Sequence, residues 1–293
     1  MKRMQNAILS LFLSVITLAV FISLSARGGV IARLSASDER PGSVIEQGRV
    51  VYEQNCAICH GTLGDGRGMA QMMLRTKPRD FRQGIFKFRS TPTGSLPTDE
   101  DLFRTISKGL RGTGMVAQDH LPEAERRAVV EYLKTFSERF QKQPAQAPVP
   151  IPEPLPRSPM LITKGRKLFE EAGCFTCHGI EGKGDSPSAS ELKDSWGYPI
   201  QPADLTRALK RGSSAEAIYR TLVTGLDGTP MPSYREAFSE EELWSLAHYV
   251  SSINTDALSP SQVREDQAGQ MVLRRHGGMG PGMTPMMREK RAR

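Results

Sequence analysis

Aromatic residues make up only 6% of this 293-residue chain, few for filling two independent cores. Cysteine is scarcer still: four residues cannot supply the dense disulfide framework that replaces a core in small exported domains. Apolar and polar residues nowhere alternate over a sustained run, so the chain reads as all-α, its helices joined by Gly- and Pro-rich loops. No Ser-His-Asp arrangement, P-loop or dinucleotide fingerprint occurs in its required setting, which removes the usual hydrolytic, nucleotide-driven and nicotinamide chemistries.

One long apolar run is present. After Met1-Lys2-Arg3, 18 uncharged residues extend from Ala7 to Leu24 and end before Arg27. Positive charge ahead of such a run holds the N-terminus in the cytoplasm and sends the following chain across the membrane. The length falls between the signal-peptide core of about 7–15 residues and the ~20 that span a bilayer. Leu24-Ser25-Ala26 and Leu34-Ser35-Ala36 are poor cleavage signals, each with a bulky Leu. Residues 1–40 are therefore read as a signal peptide or a membrane anchor. Both readings put the rest on the periplasmic side of a bacterial cytoplasmic membrane, anchored or exported and soluble.

The four cysteines form two pairs, each followed at once by histidine: Cys56-Ala57-Ile58-Cys59-His60 and Cys174-Phe175-Thr176-Cys177-His178. In C-x-x-C-H, two thiols on one helical turn reach the two vinyl groups of one haem, and the adjacent imidazole is aimed at the iron. A thioredoxin-like pair would need a βαβ setting, and a zinc site would need further ligands close by; neither is present. Two covalently bound haem c groups are expected, attached through Cys56, Cys59, Cys174 and Cys177, with His60 and His178 as iron ligands.

The two halves repeat one another. Gly48 to Glu53 precedes the first motif as Gly165 to Glu170 precedes the second, and Leu102 to Met115 aligns with Ile218 to Met231 without a gap. Beyond each Met an amphipathic helix is predicted, over Glu123 to Phe136 and Glu240 to Ile253, the second opened by a Ser239–Glu242 capping box. Between the halves, residues 141–159 carry seven prolines, which predicts an extended spacer outside any core. The expected domains are 41–142 and 160–256, with 143–159 as linker and 257–293 as a Met- and Arg-rich tail without stable order.

Met115 and Met231 lie 55 and 53 residues beyond their histidines, in Gly-rich loops. A thioether opposite the histidine makes the iron six-coordinate and raises its potential. Methionine more often fills a core, but equal placement in two repeats favours ligation. Pro230 and Pro232 frame Met231, whereas Met115 lacks flanking prolines and has His120 nearby as a rival ligand. The first haem is thus where an open iron position would occur.

On these motifs both halves resemble class I cytochromes c. The resemblance implies that the first and last helices of each domain cross through Gly48 with Tyr132 and Gly165 with Tyr249. The glycine-rich runs Gly61 to Gly66 and Gly179 to Gly184 also look like that family. The chain departs from the diheme subunit of cbb3-type oxidases in lacking a Trp-Trp motif after the first helix, so that assignment stays open.

A basic run, Arg75, Lys77, Arg79, Arg82, Lys87 and Arg89, has Phe81, Phe86 and Phe88 interleaved. Three uses compete: neutralising haem propionates inside phenylalanine walls, steering an acidic redox partner, or a plain solvated face. Export removes nucleic acid as a partner. In the tail, five Met residues with His276 offer soft ligands for Cu(I), against the blander reading of a basic segment touching lipid or protein. The leading function is single-electron transfer between a membrane or periplasmic donor and a terminal oxidase or reductase. Redox proteins are the expected partners, within a possible membrane complex. The alternative is a haem enzyme, a peroxidase or oxidase-type subunit, with a labile site at the first haem.

Overall fold

A computed structural model describes residues 42–255; the apolar N-terminal run and the Met- and Arg-rich tail lie outside them. Each half is a small helical unit. The first contains α1 (Val44–Asn55), α2 (Ala57–His60), a 3₁₀ turn at Met69–Met73, α3 (Asp99–Lys108), α4 (Glu123–Lys134) and the short α5 (Arg139–Lys142). The second contains α6 (Pro159–Glu171), α7 (Phe175–His178), a 3₁₀ turn at Pro187–Glu191, α8 (Ala215–Thr224) and α9 (Glu240–Ile253). Among the described residues there is no strand, only an isolated bridge between Lys193 and Pro199. None of these helices is long and apolar enough to cross a membrane.

Local chemistry sets the helix ends. Thr98, Ser158, Ser214 and Ser239 each accept an N–H from the third residue of the helix they precede, satisfying a donor that helix geometry leaves unpaired. At Thr98 and Ser239 the acid three residues on returns the bond, closing a capping box; only the second was expected. The α4 helix stops at Lys134, two residues short of the expected Phe136, where the Thr135 and Phe136 N–H groups bond three residues back, to Tyr132 O at 3.0 Å and Leu133 O at 3.2 Å.

The first and last helices cross as the resemblance implies. A Cβ on Gly48 would lie 2.0 Å from the Ala128 carbonyl oxygen, and one on Gly165 would lie 1.9 Å from that of Ser245, so only glycine admits this approach. Beside each glycine an aromatic pair closes the crossing: Tyr52 with Tyr132 at 5.3 Å and Phe169 with Tyr249 at 5.5 Å, both edge to face.

The proline-rich segment departs from expectation. It is extended, yet Val149 is buried in the second core, with Ile151 and Leu155 packed against it. The Val149 N–H donates to Ser90 O at 2.8 Å, and buried His248 donates from Nε2 to Leu155 O at 2.8 Å. Prolines remove backbone donors but leave every second side chain free to point at the protein, so a stiff segment can also be a packed one.

The basic run departs too. Arg89 is 1% exposed and donates to Thr224 O at 2.8 Å and Asp227 Oδ1 at 2.7 Å, both in the second half. Arg79 stacks on Trp196 at 4.2 Å, and Arg75 bonds Gln201. In return, Arg211 of the second half pairs with buried Asp101 of the first. Lys77 and Arg82 find partners within their own half, at Gln71 O and Asp80, and Lys87 lies over the Phe88 ring.

Candidate haem sites

Both C-x-x-C-H motifs fold the same way. The cysteine before each short helix caps it, and the chain leaves through Gly61 or Gly179 in a left-handed conformation, with φ of 76° and 79°. The carbonyl of His60 accepts Gly66 N–H at 2.9 Å, and that of His178 accepts Gly184 N–H at 2.7 Å. These bonds wrap the glycine-rich loop around the histidine and bring a Pro-x dipeptide beneath it. His60 Nδ1 lies 3.3 Å from Arg79 O, and His178 Nδ1 lies 3.1 Å from Ala203 O. A carbonyl accepts only, so the proton sits on Nδ1, and Nε2 is left with a lone pair for a metal. Burial pushes both imidazoles below the usual histidine range, His60 to about 4, which keeps them neutral as ligation requires.

The methionine loops also coincide. Leu110 N–H donates to Met115 O at 2.8 Å, as Leu226 N–H does to Met231 O at 3.1 Å. The hydroxyls of Thr113 and Thr229 each donate to the preceding Leu carbonyl at 2.7 Å and accept the Met N–H at 3.1 and 3.3 Å. Prolines around Met231 are therefore not what shapes the loop; the shared Gly-Leu-x-Gly-Thr-x-Met pattern is. Met115 and Met231 are both half-buried, whereas His120 is exposed.

In the second half the structure brings the expected set together. A cavity of about 330 Å³ is lined by Cys174, Cys177, His178 and Met231 together with apolar residues such as Leu222, Leu246 and Val250. No disulfide joins Cys56, Cys59, Cys174 and Cys177, which leaves all four sulfurs for haem attachment. In the first half His60 stacks on Phe81 at 4.5 Å, Phe81 on Phe86 at 6.0 Å, and Leu74 reaches the Met115 loop at Gly114. Phe81 and Phe86 are thus walls of the first site, but Phe88 lines the cavity of the second.

The donor set fits a haem on chemistry as well as shape. The second cavity is also lined by Lys87, Lys210 and Arg211, and Arg211 Nε and Nη1 are buried without a partner. A macrocycle with apolar faces and two carboxylates matches that polarity. Sequence reasoning missed Lys210, Arg211, Asp101, Asp227 and Trp196. One signal was available: where the repeats align, Arg111 is replaced by Asp227, a reversal of sign in an otherwise shared loop.

Known proteins agree with this division. The family "Cytochrome c" matches residues 162–254, and "Cytochrome C oxidase, cbb3-type, subunit III" matches residues 43–133. Among curated relatives, a cbb3-type cytochrome c oxidase subunit CcoP of Helicobacter pylori is 25% identical over 72% of this chain and 59% of its own length. A subunit FixP of Azorhizobium caulinodans is 26% identical over 71% and 59%. The chain therefore spans under two thirds of the length of these relatives. A chain of the solved reducing HAO-like protein complex of Kuenenia stuttgartiensis is 46% identical, with a TM-score of 0.70, over 72% of this chain and 96% of that one. With two cytochrome c domains, each built around a C-x-x-C-H turn, the chain belongs to the diheme c-type cytochromes and carries two covalently bound haem c groups.

Proposed function

We propose that the protein passes single electrons between a membrane or periplasmic donor and a terminal oxidase or reductase, as a subunit held in a larger redox complex. The observation that carries this reading is the repeated site: two histidines fixed through Nδ1 with Nε2 free, each served by a methionine loop of the same hydrogen-bonded geometry. Bound haem supplies one-electron redox chemistry at iron. The chain does the rest. Cys56 and Cys59, and Cys174 and Cys177, tether the two rings; His60 and His178 would supply one iron ligand each, and Met115 and Met231 the second. Two closed coordination shells suit electron transfer rather than catalysis, and the equivalence of the two loops weighs against an open position at the first haem.

The 46% identical chain from the reducing HAO-like complex, and the oxidase subunits among the relatives, support a partner enzyme as the other half of the circuit. The N-terminal run would hold the chain at the periplasmic face of the membrane. Spectroscopy of Met115→Ala and Met231→Ala tests the ligands. Each variant should lose methionine ligation at one haem and gain carbon monoxide binding there once reduced, while the parent binds none. A Met115→Ala spectrum identical to the parent's removes Met115 as ligand, and carbon monoxide binding by the parent would favour the enzyme reading.

A further inference from the structure

The cavity of the second haem is not built by the second domain alone. Lys87 and Phe88, from the first domain, line it together with Lys210 and Arg211. Lys87 Nζ lies 5.6 Å from the Phe88 ring centre, and among the described residues neither Lys87 nor Lys210 has a carboxylate partner. Asp194 attracts Lys87 only at a distance, while Lys210 and Arg79 repel it. Arg211 spends one guanidinium nitrogen on Asp101 and leaves Nε and Nη1 buried and unpaired. Three cations lining one cavity with a single carboxylate partner among them, Asp101, are unfavourable unless a further anion joins them. A haem held by Cys174, Cys177 and His178 would bring two carboxylates into the cavity that these groups line.

We propose that Lys87 completes the propionate site of the second haem from the neighbouring domain, so that the potential of this haem is set in part by the first domain. The proposal rests on Cys174, Cys177, His178 and Met231 being that haem's site. Each reduction takes one electron from the chemical reductant and leaves Lys87 protonated. Losing the cation removes an attraction for that electron, so the potential falls.

The test is a redox titration of the full holoprotein carrying Lys87→Met, with Lys87→Arg as the charge-preserving control. Lys87→Met should make reduction of one haem roughly tenfold less favourable, about 59 mV for one electron, and leave the other unmoved. Lys87→Arg should titrate like the parent. A Lys87→Met protein with both potentials unmoved, or both moved equally, overturns the proposal. Haem content separates the underlying reading: fewer than two covalent haems per chain in the unaltered protein defeats the site assignment itself.

Discussion

Replacing Asp227 with alanine strands a buried guanidinium. The Arg89 side chain is 0% exposed and Asp227 14%, with 2.7 Å between Nη2 and Oδ1. Asp227 Oδ2 also accepts the Gly94 N–H at 2.9 Å, so one carboxylate serves two groups of the other domain. Without it, Arg89 keeps only the Thr224 carbonyl at 2.8 Å, since Nε and Nη1 have no partner. An exposed ion pair would be worth under ~1 kcal/mol, but removing one member of a buried pair costs about 3–5 kcal/mol because the survivor stays desolvated. Burial places this pair in the second regime. For a folded region of this size the loss corresponds to a fall in Tm of roughly 6–15 °C. Thermal and urea unfolding of the holoprotein would measure it. Adding Arg89→Met to Asp227→Ala should recover a large part of the loss, because no charge then remains buried. A single variant that loses less than about 1 kcal/mol, or a double variant no better than the single, refutes the reasoning.

Gly165→Ala places a methyl 1.9 Å from a backbone oxygen, so α6 and α9 must separate; stability should fall by more than ~4 kcal/mol, measured by thermal melting, and a loss under 1 kcal/mol would contradict the crossing geometry. Val149→Ala should cost roughly 1–3 kcal/mol, seen as a lower urea midpoint, whereas a passive spacer would show no change. Burial alone raises the Asp101 carboxyl, but the Ser90 N–H, the Arg211 guanidinium and the Ser90 hydroxyl outweigh it and hold it below the usual carboxylate range. The native state therefore binds that proton less tightly than the unfolded chain, so the stabilisation is complete above the unfolded value of about 3.9 and is lost as pH falls through the lower native value. Asp101→Asn should destabilise the protein at neutral pH and shallow the acid limb below about pH 4; a stability curve parallel to the parent's at every pH would exclude this role.

Much of this was legible in the sequence because covalent haem attachment demands fixed spacing. Cys, Cys and His must share one turn, and a shared Gly-Leu-x-Gly-Thr-x-Met loop announces its partner by repetition. The helix crossing was implied by the resemblance to class I cytochromes c, and the structure supplies its reason: at Gly48 and Gly165 a side chain would strike backbone. What stayed hidden is how the halves meet. Arg75, Arg79, Lys87 and Arg89 have the composition of a solvated face, and nothing local distinguishes a lysine facing water from one facing another domain's cavity. Val149 was misread for a similar reason, since proline content reports stiffness and is silent about what the stiff segment lies against.

The reciprocal exchange, Arg89 to Asp227 and Arg211 to Asp101, acts as a key with two teeth. Sliding one half past the other by a single helical turn would withdraw both guanidinium groups from their carboxylates at once, breaking two largely buried ion pairs together. Intermediate arrangements therefore gain nothing, and the docking is all or none rather than graded. For a chain with two haem sites the consequence is one separation between them, set when the chain folds.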